Sequence, residues 1–328
     1  MNFLTYEAEQ RIGNDNKLLK LNAMLDWHQL AVLLKGLYKK DENDRGGQRP
    51  YDPVKMFKAI LLGQWYSLSD PGLEESLRVR LDFMMFTGFE LGEALPDETT
   101  LCRFRNRLFA KGLDKPLFNE VNRQLQEHQI KVTKCQGAIV DATIIRSSSR
   151  PHRVIEAEGG SSEEVVVKES ADPDARWLKK GNQSYFGYRG YIRTDAADGY
   201  IESVHVQSAN KAEVHELARA IDTASSQRIY ADKGFASRAN RKLLKERGLK
   251  DGLMEKALRN RPLTHWQKVK NRLISSKRFV VERTFGTLKR QFMMHRADYT
   301  SLLKVEGQLR IKALCLNLLK AANVAVIV

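Results

Sequence analysis

Three polar residues in the last quarter of the chain recur at a spacing that brings them onto one helical face. Arg278, Glu282 and Lys289 occupy relative positions 0, 4 and 11. At about 100° per residue they fall within about 40° of one another. The two cations suit phosphate groups, and the carboxylate suits a metal ion. A salt-bridged surface helix is the alternative use of such a stripe.

Two aspartates lie in settings that also favour chemistry. Asp141 sits inside the apolar run 137–145, where an ionised carboxylate is costly unless it is paired or binds a metal. Asp232 ends the short run 227–232, just before a tight turn. A structural alternative stays open for each residue, since Asp141 is also placed to cap a hairpin and Asp232 to cap the next helix.

Together with Glu282, the two aspartates predict a divalent-metal centre. Phosphoryl transfer on DNA needs charge stabilisation at phosphorus and activation of a water or a 3′-hydroxyl, and a pair of Mg²⁺ ions about 3.5–4 Å apart supplies both. Mg²⁺ prefers oxygen ligands and is held by a few carboxylates plus substrate oxygens. Two aspartates from adjacent strands and a glutamate from a nearby helix are suited to converge on such a pair.

The elements that must position these acids alternate between strand and helix patterns. Short β-branched or period-2 runs predict strands, and apolar spacing of three to four residues predicts helices. In chain order we predict a strand at 137–145, a hairpin at 185–193 and 200–206, a helix at 211–224, a strand at 227–232, a helix at 237–247, a short strand at 250–254 and then basic helices. This order predicts an α/β layer fold with its site at one edge of the sheet.

A polar segment interrupts this alternation between residues 146 and 182. Its central part, residues 156–174, contains seven acidic residues and one basic residue. We expect a solvated loop here, and ordering of the loop on DNA is a further hypothesis.

The first 125 residues have helical patterns throughout. We predict Asp70 as a helix N-cap with Pro71 at the first helical position, and Asp97 as the N-cap of a later, basic helix. Two short helices around a tight turn, followed by a basic helix, fit a helix-turn-helix DNA reader. An ordinary helical bundle with surface arginines is the alternative. The candidate groove contacts are Thr99, Arg103 and Arg107.

The charge of the chain points to a polyanionic partner. Lys and Arg number 55 against 40 Asp and Glu, and residues 238–312 alone hold 21 basic and 6 acidic residues. A surplus concentrated in one quarter of the chain indicates a footprint for nucleic acid, with a solvated surface as the alternative. No apolar run approaches the roughly 20 residues that cross a bilayer, and no secretion signal opens the sequence. We therefore expect a cytoplasmic, nucleoid-associated protein with no membrane contact.

Taken together and in order, these motifs resemble the DDE transposases of bacterial insertion sequences, in the branch marked by an Arg-x3-Glu-x6-Lys signature. Arg278, Glu282 and Lys289 match that spacing. The segment VDATII around Asp141 and the segment YADKGF around Asp232 are similar to the family's first two catalytic blocks. The segments PDETTLCRFRNRL, DPDARW and KGNQSYFGYRGYI are similar as well, so that the resemblance covers residues 50–315. One departure is Ser275, because the signature often has Tyr three residues before the Arg.

The resemblance implies a ribonuclease H-like catalytic core over residues 126–328, including a C-terminal helix, behind an N-terminal helical DNA-binding domain over residues 1–125. It implies dependence on Mg²⁺ or Mn²⁺, with Asp141, Asp232 and Glu282 as catalytic metal ligands. It also implies a homodimer on terminal inverted repeats, cleavage at the element ends and attack of the 3′-hydroxyl on target DNA.

The same resemblance implies further contacts between the protein and DNA. The predicted DNA-binding residues on the helix that carries Glu282 are Arg278, Lys289 and Arg283. Trp266 is predicted to stack against a displaced base. Plain packing is the alternative for Trp266. Two other functions stay open: a ribonuclease H-like nuclease that cuts without joining strands, and a transposase-derived DNA-binding repressor.

Overall fold

The computed structural model describes residues 7, 10–13, 15–38, 49–130, 137–151, 153–156, 165–168, 170–224 and 226–324. It divides into two compact units. The first comprises Met1–Lys134, Tyr200–Glu202 and Arg310–Val328, and the second comprises Cys135–Gly199 and Ser203–Leu309.

The first unit is helical. Its helices are α1 (Lys17–Met24), α2 (Trp27–Leu34), α3 (Pro53–Trp65), α4 (Asp70–Val79), α5 (Leu81–Thr87), α6 (Glu98–Ala110) and α7 (Asp114–Glu127). Helix α3 is buried along most of its length, and its apolar residues Met56, Phe57 and Ile60 lie in the core of the unit. The helical pattern predicted for this part of the chain is present in the residues that the structure describes.

One predicted helix cap is confirmed and one is wrong. The Asp97 side chain accepts a hydrogen bond from the backbone N–H of Thr100 at 2.6 Å and caps α6. At α4 the cap is Ser69, whose hydroxyl accepts from the N–H of Gly72 at 3.2 Å. Asp70 instead lies inside the helix, because its carboxylate pairs with the buried Arg105 at 2.5 and 2.9 Å. Arg105 is therefore a core residue and does not belong to the basic surface of α6.

The last part of the C-terminal helix, from Arg310 onward, groups with the first unit, and the predicted domain boundary at 125 stays a prediction. Arg310 pairs with Asp114, and the side chain of Asn317 donates to Asn122 at 2.8 Å. These contacts fix the end of the last helix against α7. Periodicity along the chain does not reveal such long-range polar pairs.

The second unit contains the sheet, and the predicted α/β class is confirmed. Its elements are β1 (Ala138–Arg146), β2 (Arg153–Glu156), β3 (Val165–Lys168), β4 (Arg176–Lys180), β5 (Gln183–Asp195), β6 (Ile201–Ser208), α8 (Leu217–Ala220), β7 (Arg228–Ala231), α9 (Arg238–Glu246), β8 (Lys250–Leu253), α10 (His265–Arg290) and α11 (Leu302–Val324). Two 3₁₀ turns, Glu213–His215 and Lys233–Phe235, flank β7. Strand β6 and helix α11 extend across both units.

The main sheet mixes antiparallel and parallel pairing. Its order is β4-β5-β1-β7-β8, and β6 also pairs with β5. Strand β1 is antiparallel to β5 and parallel to β7, and β7 is parallel to β8. Strand β1 therefore lies at the centre, where antiparallel pairing changes to parallel pairing.

Side chains alternate between the two faces of this sheet. Ala138 and Val140 of β1 and Ile229 and Ala231 of β7 lie in one buried apolar cluster, together with residues of α8 and α9. By the same alternation, the residues that follow Val140 and Ala231 point to the opposite face. Helix α10 packs against β1 and β7, so that face lies beneath the helix that carries the third predicted acid.

Two sequence-based predictions in this unit are wrong in detail. The helix predicted at 211–224 is reduced to the 3₁₀ turn Glu213–His215 and the single turn α8. The buried Asn240 donates to the carbonyl of Val214 at 2.8 Å and holds this segment in place, which is a tertiary contact that overrides helix propensity.

The loop predicted at 146–182 contains three strands. Strands β2 and β3 pair with each other, and β4 pairs with β5. The β-branched run Val165-Val166-Val167 favours a strand even within an acidic segment. Residues 157–164 lie outside the described residues. None of the described helices is both long and apolar enough to cross a membrane.

Candidate active site

The register of the parallel strands brings two predicted acids together. Val140 of β1 lies opposite Ala231 of β7, so that Asp141 and Asp232 follow side by side. The side chain of Asp141 is 14% exposed and that of Asp232 is 33% exposed. Each carboxylate accepts a hydrogen bond from the next backbone N–H, at 2.8 Å for Asp141 and 2.6 Å for Asp232.

A buried guanidinium lies between these two carboxylates. Arg278 of α10 donates from Nη2 to Asp141 Oδ2 at 2.7 Å, and its Nη1 lies 3.7 Å from Asp232 Oδ1. Burial alone would lower the pKa of Arg278, but Asp141, Asp232 and Glu282 outweigh it and raise the pKa. Arg278 was predicted as a phosphate contact. In this structure it faces the aspartates, and its contact with a phosphate stays a prediction.

The donor chemistry at this point suits a hard cation. Two carboxylates already share one positive charge, that of Arg278, and carboxylate oxygens are the ligands that Mg²⁺ prefers. Across the described residues, however, no three His, Cys, Asp or Glu side chains are gathered closely enough to form a complete metal site. The structure thus brings two of the predicted acids together, and Glu282 lies exposed on α10, one helical turn beyond Arg278.

Glu282 faces a cleft of about 820 Å³ beside the aspartates. The cleft is rich in cationic side chains, which come from β1, β4, β5 and α10. They are Arg146, Lys179, Lys180, Arg189 and Lys289. Burial lowers the pKa of Lys289, and the positive charge of Lys180 acts in the same direction. Cations that lie close together repel one another, and a polyanionic ligand relieves this repulsion.

The acids of the DPDARW segment, residues 172–177, make hydrogen bonds that connect elements of the second unit. Asp172 is buried, and it accepts hydrogen bonds from the hydroxyl of Ser147 at 2.5 Å and from that of Tyr188. Asp174 accepts from the backbone N–H of Leu302 at 2.7 Å at the start of α11. The two acids therefore fix β1, β5 and α11 to one another.

The remaining candidates on α10 are exposed. Trp266 lies in the first turn of the helix with 78% of its surface exposed, so packing into the core does not explain it. Its ring meets that of His265 edge to face, with centroids 5.9 Å apart. Arg283 and Ser275 are also exposed. Contacts of Trp266 and Arg283 with DNA stay predictions.

The candidates on α6 form an exposed stripe. Thr99, Arg103 and Arg107 are four residues apart and face solvent. Thr99 donates from its hydroxyl to Asp97 at 3.0 Å, and the guanidinium of Arg107 lies 5.3 Å from the ring centre of Tyr38.

Sequence reasoning missed Glu213, a further acid of this cleft. Burial raises the pKa of Glu213, and the negative charges of Asp141 and Asp232 act in the same direction. The signal available in the sequence was Gly234, two residues after Asp232. A glycine at such a place marks the close approach of another group, but it does not say which group.

Comparisons with known proteins agree over most of the chain. Residues 134–318 match the family model described as Transposase DDE domain, and residues 6–107 match the one described as Transposase domain (DUF772). The chain is 45% identical over 223 residues to the transposase for insertion sequence element IS1106 of Neisseria meningitidis serogroup B. That match covers 67% of this chain and 77% of the relative.

Two solved structures are similar at low identity. One is a piggyBac transposase synaptic complex with hairpin DNA, with a TM-score of 0.45 and 11% identity over 96% of this chain and 76% of that chain. The other is the Mos1 strand transfer complex, with a TM-score of 0.21 and 11% identity over 82% of this chain and 78% of that chain.

Proposed function

The chain belongs to the DDE transposases of bacterial insertion sequences, and we propose that it binds the terminal inverted repeats of its element, cleaves DNA there and joins the ends to target DNA. Its activity is that of a DNA transposase. The DDE domain implies a ribonuclease H-like core, which agrees with the mixed α/β sheet of the second unit. The DNA-reading role of the first unit is part of the proposal.

Asp141, Asp232 and Glu282 are the residues that would hold Mg²⁺ or Mn²⁺. When bound, these ions stabilise charge on the transferring phosphoryl group and lower the pKa of bound water. The observation that carries the proposal is the pair of adjacent aspartates on β1 and β7 around one cationic side chain. Two carboxylates side by side on neighbouring strands, under a basic helix, are suited to that role.

The other residues of the cleft act on the DNA. Lys289, Lys180 and Arg189 line it, and their charges suit the phosphates on either side of the scissile bond. Arg278 partly neutralises the two aspartate carboxylates and reduces their mutual repulsion before DNA arrives. Because Arg278 is paired with Asp141 at 2.7 Å, its contact with a phosphate would follow the exchange of that pair.

Each chemical step exchanges one P–O bond for another. Attack of water on the end phosphodiester breaks the bond to the leaving oxygen and frees a 3′-hydroxyl. Attack of that hydroxyl on a target phosphodiester then forms the new junction and releases a target 3′-hydroxyl. Because the number of P–O bonds is conserved, neither step needs an external energy source. A homodimer on the two paired ends gives each end its own active site.

The first unit is proposed to recognise the inverted repeat. Helix α6 presents Thr99, Arg103 and Arg107 to solvent along one stripe. A stripe of this kind can enter the major groove, where arginine reads guanine edges. The exposed Trp266 and Arg283 on α10 add proposed contacts with a displaced base and with the backbone.

The test is the joining of a labelled terminal inverted repeat into a plasmid in the presence of Mg²⁺. We expect cleavage at the repeat end, followed by covalently joined product. Cutting without joined product would favour a nuclease, and binding without cutting would favour a repressor. Either result would overturn the proposed reaction.

A further inference from the structure

A short turn in the segment where the sequence predicts a helix packs against the turn that follows Asp232. The 3₁₀ turn Glu213–His215 lies against the 3₁₀ turn Lys233–Phe235, which begins immediately after Asp232. The buried Asn240 of α9 joins the two turns. Its side chain donates to the carbonyls of Val214 at 2.8 Å and Phe235 at 2.7 Å. These two hydrogen bonds of the buried Asn240 therefore fix the position of Glu213 relative to Asp232.

Because Gly234 has no side chain, there is room beside it for the carboxylate of Glu213. A β-carbon at position 234 would clash with Glu213 Oε2 and would lie 3.3 Å from the carboxyl carbon. The φ angle of Gly234 is not in the left-handed region, so the backbone conformation does not require a glycine there. The space that the missing side chain leaves is taken up by the acid.

Glu213 also has a cationic partner that lines the cleft. Its Oε1 lies 3.5 Å from Nη1 of Arg189 on β5, and the same Nη1 donates to the carbonyl of Lys211 at 2.9 Å. The side chain of Arg189 is only 12% exposed. Two groups of the segment that carries Glu213 thus contact Arg189 at one nitrogen, and both residues line the same cleft as Glu282 and Lys289.

We propose that Glu213 is a positioning residue of the transposase active site, which fixes the turn behind Asp232, holds Arg189 in the cleft and adds a negative charge beside the two aspartates. The inference rests on the proposed function and extends the acidic set beyond Asp141, Asp232 and Glu282. Its electrostatic part agrees with the pKa of Glu213, which is raised first by burial and then also by the negative charges of Asp141 and Asp232.

The central test is the substitution Glu213→Gln, which keeps shape and removes charge. We expect the folded protein to bind Mn²⁺ about tenfold more weakly in calorimetric titration without DNA, because a nearby negative charge is lost. The Mn²⁺ concentration for half-maximal end cleavage should rise by a similar factor. A purely structural role would lower the melting temperature without moving the Mn²⁺ titration.

Gly234→Ala tests the same contact from the other side. The added methyl group displaces the Glu213 carboxylate, so we expect a similar shift in Mn²⁺ binding with the charge still present. In a Glu213→Ala background the change Gly234→Ala should add nothing further, because the clash is gone. The matched control is Glu246→Gln on α9, whose side chain is 58% exposed and pairs with Lys242, and it should match wild type.

Wild-type Mn²⁺ binding in folded Glu213→Gln would overturn the inference. If Glu213→Gln does not fold, Gly234→Ala decides, and wild-type Mn²⁺ binding in that variant would overturn it equally. These outcomes are distinct from a failure of the proposed function, in which the wild-type protein itself would not cleave a transposon end.

Discussion

The active-site cleft and the α6 surface are both charged, but they hold their charges in opposite ways. Around Asp141 and Asp232, the guanidinium of Arg278 is largely buried and lies within 2.7 and 3.7 Å of the two carboxylates. On α6, Arg103 and Arg107 face solvent. Buried charge is tolerated only when it is paired. The paired charges of Arg278, Asp141 and Asp232 are therefore held in a fixed geometry. The exposed arginines of α6 are free to contact a long polyanion.

Arg105 shows that the difference depends on burial and not on the element. It lies on the same helix as Arg103 and Arg107, yet it is buried and makes a two-pronged pair with Asp70. In the first unit, as beside Asp141 and Asp232, a buried arginine is thus paired with a carboxylate. The exposed arginines Arg103 and Arg107 of α6 are therefore the ones we propose as DNA contacts.

The largest expected effect is that of Asp141→Asn. Loss of one carboxylate of the proposed metal site should reduce end cleavage by about 10³-fold or more. Binding of the inverted repeat should be unchanged or tighter, because Arg278 is partly released towards phosphate. Cleavage of a labelled end and a gel-shift titration measure the two quantities. Cleavage within tenfold of wild type would show that the paired acids are not the reaction centre.

The next effect concerns stability in the first unit. Asp70→Asn removes the charge opposite buried Arg105 and should lower the free energy of unfolding by about 2 kcal/mol, less than for a fully buried pair because Asp70 is partly exposed. Urea denaturation measures it. The control Glu127→Gln breaks the exposed pair with Arg123 and should cost less than about 0.5 kcal/mol. Equal costs for the two substitutions would refute the contrast between buried and exposed charge.

The smallest effect is expected on α6. Arg103→Ala and Arg107→Ala should each weaken binding of the inverted repeat by about fivefold. A base contact would lower the preference for the repeat over random DNA, whereas a phosphate contact would weaken both equally and reduce the salt slope by about 1. Arg78→Ala on α4, another exposed arginine, is the control. Unchanged repeat binding in both α6 variants would place DNA recognition elsewhere.

Much of the second unit could be predicted from the sequence, because its signals are local. Asp141 within an apolar strand and Asp232 at the end of another define β1 and β7, and the alternation of the sheet then places both acids on the face beneath α10. The long helix around Glu282 follows from its periodicity. In these cases each residue is identified by its immediate neighbours in the chain.

The features that were missed depend on contacts between distant segments. The pattern at 211–224 predicts a helix, but Asn240 holds Val214 in a 3₁₀ turn and thereby brings Glu213 to the site. Arg278 shares a helical face with Lys289, and no periodicity indicates that its guanidinium turns to the aspartates instead. The pattern at 69–71 predicts Asp70 as the N-cap of α4, but Asp70 pairs with Arg105, which lies 35 residues away in the chain, and Ser69 is the cap.

The most direct test of the central claim concerns Glu282, the exposed acid of α10 that lines the cleft together with Glu213. Purified Glu282→Ala should bind the terminal inverted repeat as wild type does and should fail to cleave it when Mg²⁺ is supplied. Cleavage by Glu282→Ala at the wild-type rate would contradict the assignment of the three acids to one reaction centre.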